Sequence, residues 1–193
     1  MSGAGTTLFT DARLIDPEDG TDAPGWLLVK DGVIAAKGTG TERPQAEHTV
    51  TCGGHCLAPG IVDIGVKVCE PGERHKESYR SAGLAAAAGG VTTMATRPDT
   101  VPAIDSPEVL EFARRRANEA APVNVLPMAA LTKGRAGAEM VEIGFLMDAG
   151  AVAFTDCDHV VTDTRVLARA LSYARSLGAL VIGHPQDPGL SAG

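Results

Sequence analysis

Residues 59–72 read Pro-Gly-Ile-Val-Asp-Ile-Gly-Val-Lys-Val-Cys-Glu-Pro-Gly. A Pro-Gly turn leads into Ile61–Val68, a β-branched and nearly apolar run. Such a run predicts a strand covered on both faces, as in a parallel sheet flanked by helices. Asp63, Gly65 and Lys67 recur at period two, which predicts that all three share one face of that strand. In a barrel, that face is the interior near the mouth, where sites are built.

Beyond this stretch, apolar runs alternate with helical segments. Helices are predicted at Tyr79–Ala88, closed by Gly89-Gly90, and from Ser106 as N-cap through Pro107 to about Ala120. Two more are predicted at about Ala138–Ala149 and at Thr164–Leu177, the latter ended by Gly178. The intervening runs Val91–Thr96, Val123–Met128, Ala151–Thr155 and Ala179–Gly183 predict strands, with His184 at the end of the last. Five strands alternating with four helices predict a parallel βα architecture of the α/β class. A complete (β/α)8 barrel takes about eight such units and typically ~250 residues. A doubly wound open sheet is the alternative that the alternation alone leaves open.

Upstream, residues 6–58 predict a small β-rich domain. Its strands are Thr7–Phe9, Ala12–Ile15, Trp26–Lys30, Val33–Gly38, His48–Cys52 and His55–Ala58, with a loop from Asp16 to Gly25. Asp31-Gly32 is a two-residue hairpin signal. The expected domains are therefore 1–58 and 59–193. Cys52, His55 and Cys56 are close in sequence, but a fourth ligand for a structural zinc is missing.

Composition narrows the class. The chain has 193 residues, is 44% hydrophobic and 21% charged, and carries a formal charge of -7. It can bury a core, and its charge argues against nucleic acid or an anionic membrane as the main partner. Ala82–Ala88 is too short to span a bilayer. The N-terminal residues show no charged segment followed by an apolar one, so no secretion signal is expected. The cysteines Cys52, Cys56, Cys69 and Cys157 form no dense framework, and a reducing cytoplasmic setting is the expectation.

Residues 59–72 resemble the first barrel strand of the dihydroorotases, in the amidohydrolase superfamily. The family pattern is Pro-Gly-(Ile/Leu/Val)-(Ile/Val)-Asp-x-His-x-His-x-Arg-Glu-Pro-Gly, and Pro59, Gly60, Asp63, Glu70, Pro71 and Gly72 match it. The resemblance runs from about Leu14 to Asp187. It implies a partial (β/α)8 TIM-type barrel with about five βα strands, preceded by a β-sandwich portion. The family's later strands have no counterpart, so either a fragment or a natural truncation is expected. The apolar edge left at the fifth strand predicts poor solubility.

The resemblance also implies where a two-metal site would lie, and there the chain departs from the pattern. Gly65 and Lys67 stand at the two strand-one histidines, and Cys69 stands at a substrate-binding arginine. After strand four the run is Thr155-Asp156-Cys157-Asp158. Ungapped alignment from His184 puts Cys157 at the bridging aspartate, while a one-residue shift would put Asp156 or Asp158 there. His184 keeps a ligand position, within His184-Pro185-Gln186-Asp187. The family's Met-Pro-Asn-Thr becomes Arg97-Pro98-Asp99-Thr100, and Asp99 would repel a carboxylate that the family's Asn accepts. Arg97 is a candidate to compensate for the lost arginine.

Each position has a plain structural reading as well. Gly65 reads as a close-packed strand glycine. Lys67 reads as a cation filling the metal's space and paired with Asp63, its rival being a catalytic lysine of depressed pKa. Cys157 reads as a partly buried thiol, and His184 as a hydrogen-bonded structural histidine. His159 falls in a loop, and His75 precedes a helix. Together these readings predict a pseudoenzyme with no intact metal or catalytic set and no cofactor. Within the family such homologues act as structural partners of aspartate carbamoyltransferase, so that partner and an oligomer are expected. The alternative is an active zinc-dependent cyclic amide hydrolase with a rearranged site, drawing on Asp63, Asp156, Asp158 and His184, or with a site completed by residues beyond position 193.

Overall fold

The computed structural model describes residues 5–191. Residues 1–4, part of the stretch read for a secretion signal, lie outside the described residues. The chain divides into two compact units, Met1–Pro59 and Gly60–Gly193.

The first unit is one five-stranded sheet. Its strands are β1 (Thr6–Asp16), β2 (Thr21–Lys30), β3 (Val33–Gly38), β4 (His48–Thr51) and β5 (Cys56–Leu57). Their order is β3-β2-β1-β4, with β5 also on β1. The two runs expected at 7–9 and 12–15 are one strand, β1, because a bulge between Phe9 and Ala12 absorbs the break in alternation. The loop expected at 16–25 is much shorter, since β2 pairs back on β1 from Asp16 opposite Thr21. Asp31 and Gly32 take φ of 51° and 79°, the left-handed pair that a tight hairpin needs. The described residues of this unit form a single sheet rather than the expected sandwich.

The second unit is α/β. β6 (Ile61–Val66), β7 (Val91–Thr96) and β8 (Asn124–Pro127) form a parallel sheet in that order. The expected fourth and fifth strands are not regular strands. They are single parallel bridges, Ala129 with Phe154 and Phe154 with Val181. The ladder still runs through them: Ala129 N donates to Ala153 O, Thr155 N to Ala129 O, and Ile182 N to Phe154 O. Five parallel segments therefore lie side by side, three of them regular strands.

Helices cover one face of this sheet. α1 (Tyr79–Ala88) starts at Ser78, which forms a capping box with Ser81, and stops at Gly89. α2 (Pro107–Ala120) begins with Pro107 in its first turn, although the Ser106 side chain makes no capping bond. α3 (Ile143–Asp148) is half the length expected. α4 (Thr164–Leu177) is capped by Asp163 and ended by Gly178 at φ 69°. A single turn, α5 (Pro188–Ser191), follows. The shortfall in α3 has a clear cause. Lys133 N bonds Glu139 O and Val141 N bonds Leu131 O, so 139–141 fold back onto 131–133 and cannot be helical.

The two faces of the sheet differ. Met94, Ala129 and Phe154 face the helices and pack with Leu110, Ile143 and Leu146. Each large apolar side chain buried there contributes roughly 1.5–3 kcal/mol. The opposite face carries a smaller cluster of Ala95, Met128 and Ala153, with Ile182 against it. β6 is an open edge: Ile61, Val62 and Ile64 are exposed, as is Leu180 at the other end.

The loop after β6 is held by a buried carboxylate. Glu70 accepts from the Tyr79 backbone N at 3.2 Å and from Arg116 Nε at 3.1 Å, linking the loop to α1 and α2. Burial, with the Glu70 charge adding, pushes the Tyr79 phenol up to about 12. Gly72 sits at φ 101°, and a Cβ there would stand 2.3 Å from Val101 O. Gly72→Ala is therefore expected to cost about 3 kcal/mol, from backbone strain plus a clash with another backbone. A urea midpoint unchanged by this substitution would show that the loop moves freely.

Candidate functional site

A cleft of about 310 Å3 opens at the C-terminal ends of the parallel segments. Ile64, Arg97, Met128, Thr155, Cys157 and His184 are among its lining residues. It is the sheet face opposite the helices, at the strand ends where barrel sites are built. The alternation from Ala153 brings Thr155 and Cys157 onto this face in turn.

β6 does not present the expected trio to the cleft. Asp63 stands beside Met94, on the helix side, and Ile64 beside Ala95, on the cleft side. The register then shifts between Ile64 and Val66, and Gly65 takes φ 98°. This irregularity flips the alternation, so Asp63 and Lys67 do not share a face. Nothing lies within 4 Å of a Cβ built on Gly65. The glycine is there for its backbone conformation, not for the close packing expected of it.

Lys67 lies past the end of β6, and its partner is Asp99 rather than Asp63. Lys67 Nζ is 2.9 Å from Asp99 Oδ2, with Lys67 largely exposed and the Asp99 side chain 2% exposed. Hydrogen bonding and charge from Asp99 raise the Lys67 pKa. That direction is opposite to the one a catalytic base at this position needs. Arg97 completes the arrangement with a two-pronged contact, Nε to Asp99 Oδ1 at 3.2 Å and Nη2 to Oδ2 at 2.9 Å. Its fork is thus engaged within the chain and does not stand in for the arginine replaced by Cys69. Cys69 itself is buried.

Asp156 and Cys157 have separate roles. Asp156 is buried and turned away from the cleft, into the loop after β8. Its Oδ1 accepts from Leu131 N at 2.9 Å and Thr132 N at 3.0 Å, while Oδ2 accepts from the Thr132 hydroxyl. Both oxygens are occupied by the protein. Cys157 points into the cleft instead, on a residue with φ 59°. Burial raises its pKa first and the Asp99 charge second, outweighing Arg97 and Arg135, which lower it. The thiol is therefore protonated at neutral pH. Its alkylation by iodoacetamide is expected to rise only above the ordinary thiol range. Because the folded state holds this proton more tightly, its contribution to stability is lost as pH climbs through that same window. A rate at Cys157 already maximal at pH 7 would refute both expectations.

At the rim, Asp158 receives Arg135 Nη2 at 2.7 Å and Arg97 Nη2 at 3.4 Å. Arg135 also donates to Asp156 O. Sequence reasoning missed Arg135, since an arginine in a polar loop carries no local signal. His184 is exposed and pairs with Gln186 Oε1 at 2.8 Å. His159 Nδ1 lies 3.0 Å from Arg135 O, outside the lining of the cleft.

These donors do not fit a two-metal centre. Such a centre takes neutral imidazoles and carboxylates converging on two cations. Here Gly65 offers no side-chain atom, Lys67 is a cation on Asp99, and Asp156 has both oxygens bonded within the protein. Among the described residues no group of three His, Cys, Asp or Glu side chains is arranged to hold a metal ion. No helix among them is long and apolar enough to cross a membrane.

Comparison with known proteins agrees with the fold. A dihydro-orotase-like family model matches residues 54–193. The chain is 37% identical over 180 residues to a dihydroorotase of Geobacter sp. (strain M21), covering 93% of this chain and 42% of that protein. It is 42% identical over 188 residues to a dihydroorotase-like protein of Pseudomonas putida, covering 97% and 44%. The chain thus spans less than half the length of these relatives. Among solved structures, L-hydantoinase (dihydropyrimidinase) from Arthrobacter aurescens superposes with a TM-score of 0.78 at 23% identity, over 92% of this chain and 40% of that one. A dihydroorotase crystal structure gives 0.64 at 17% identity, over 94% and 52%. The structural likeness is one of fold. The family model and the relatives carry the further conclusion that this chain belongs to the dihydro-orotase-like family.

Proposed function

We propose that the protein is a dihydroorotase homologue of pyrimidine biosynthesis that has lost metal binding and catalysis. On this reading it works in the cytoplasm as a structural partner of aspartate carbamoyltransferase. The observation that carries the reading is the ion cluster at the strand ends. Lys67 and Arg97 put two fixed cations beside the cleft, both on Asp99. Fixed positive charge repels the divalent ions that a cyclic amide hydrolase uses to ionise water. A scaffold role needs an interface instead, on the order of 2,000 Å2 or more for an obligate complex.

The test is elemental analysis of the purified full-length gene product, with dihydroorotate hydrolysis measured in added zinc. The expected result is zinc at trace level, no turnover, and co-elution with a carbamoyltransferase subunit. One or two zinc ions with turnover would overturn the reading.

The names of the relatives favour a second reading. The Geobacter relative is called a dihydroorotase at 37% identity. On that reading the protein is an active zinc-dependent hydrolase of a cyclic amide C–N bond. Its ligands would include His184 and groups supplied from outside these residues. The same metal analysis separates the two readings.

A further inference from the structure

The Asp99 carboxylate occupies its guanidinium fork much as a bound ligand would. Arg97 grips both of its oxygens, at 3.2 and 2.9 Å. Lys67 adds an ammonium at 2.9 Å to Oδ2. The two-pronged guanidinium contact is the geometry by which proteins recognise a free carboxylate. The donor that grips Asp99 is also part of the cleft wall, since Arg97 lines the opening together with Thr155 and His184. The carboxylate itself is 2% exposed, whereas Lys67 is 55% exposed and reaches in from solvent.

We propose that Asp99 is an internal stand-in for a ligand carboxylate, closing a latent anion site on Arg97 and Lys67 and restricting the cleft to uncharged ligands. The local chain geometry supports this. Asp99 follows Arg97 by two positions, with the buried Pro98 between them. A carboxylate tethered so closely competes at a far higher effective concentration than a solute can reach. A free anion would have to displace it and leave a buried charge without its partner, which is unfavourable. Asp158 at the rim adds a second negative charge on the same guanidinium, 3.4 Å from Nη2. The inference concerns binding alone and holds whether or not the protein turns anything over.

The test uses the full-length protein and sodium acetate as probe, followed by NMR at the Arg97 Nε–H. In the native protein, acetate is expected to leave this signal in place. In Asp99→Asn the fork is released, and the signal is expected to titrate with saturation. The affinity should be at least about tenfold tighter than in the native protein, the usual weight of a charge-assisted hydrogen bond. Adding Arg97→Lys removes the Nε–H reporter, so acetate is followed there at the backbone amides of Thr155 and His184 in the cleft wall. Most of the gain should be lost, because an ammonium cannot make the two-pronged contact. Asp99→Ser is the second variant, removing the charge with a smaller side chain. A native Arg97 signal that saturates with acetate would overturn the proposal whatever the variants do. A folded Asp99→Asn or Asp99→Ser protein that binds acetate no better than the native one would overturn it as well.

Discussion

Asp156→Ala is expected to destabilise the protein by about 4 kcal/mol, since three donors lose their acceptor at once and each orphan costs roughly 1–3 kcal/mol. The donors are Leu131 N, Thr132 N and the Thr132 hydroxyl, and Thr132 is fully buried. Water has no access to replace the carboxylate there. The effect also reaches the cleft. Arg135 lies in the same loop, donates to Asp156 O and holds Asp158 at the rim. Urea unfolding gives the stability change, and hydrogen exchange at Leu131 and Thr132 locates it. Asp156→Asn keeps one acceptor oxygen and should lose about half as much. A loss under about 1 kcal/mol for alanine would mean that the loop finds other partners, and Asp156 would return to consideration as a free carboxylate.

This prediction marks a boundary in what the sequence can disclose. A one-residue ambiguity after the fourth parallel segment left Asp156, Cys157 and Asp158 as rival occupants of one position. Strand alternation from Ala153 could have settled it, since it puts Thr155 and Cys157 on the cleft side and Asp156 on the other. The acceptor role of Asp156 was not legible, because its donors are 24 and 25 positions away in the chain.

Helix ends were far easier to read, because their chemistry is local. Pro107 at the start of α2 and Gly178 at the end of α4 each act on the adjacent backbone. The over-long third helix had the opposite origin. Residues 138–142 suit a helix in isolation, but Val141 is drawn against Leu131 by a backbone bond across the turn. Gly65 is the clearest case of information absent from the pattern. Asp63, Gly65 and Lys67 alternate faultlessly in sequence, and one left-handed residue in the middle sends the outer two to different faces. A glycine in a strand signals that such a break is allowed without saying that it occurs.

Arg97→Met should cost about 3 kcal/mol, at the low end for breaking a buried ion pair because Lys67 still reaches Asp99 Oδ2. The two halves of the pair are not equivalent. Asp99 is almost wholly buried, so removing Arg97 strands a charge with little solvent to receive it. Removing the carboxylate instead leaves two cations that are 27% and 55% exposed and keep much of their hydration. Asp99→Asn should therefore be the milder change, about 1 kcal/mol. The double variant Arg97→Met with Asp99→Asn should be about 2 kcal/mol more stable than the sum of the single losses implies, the coupling expected of residues in direct contact. Urea unfolding of the four proteins closes the cycle. Additive losses would mean that Arg97 and Asp99 are each satisfied by other groups. Asp99 would then not be what closes the fork, and the internal carboxylate could not be what keeps anions out of the cleft.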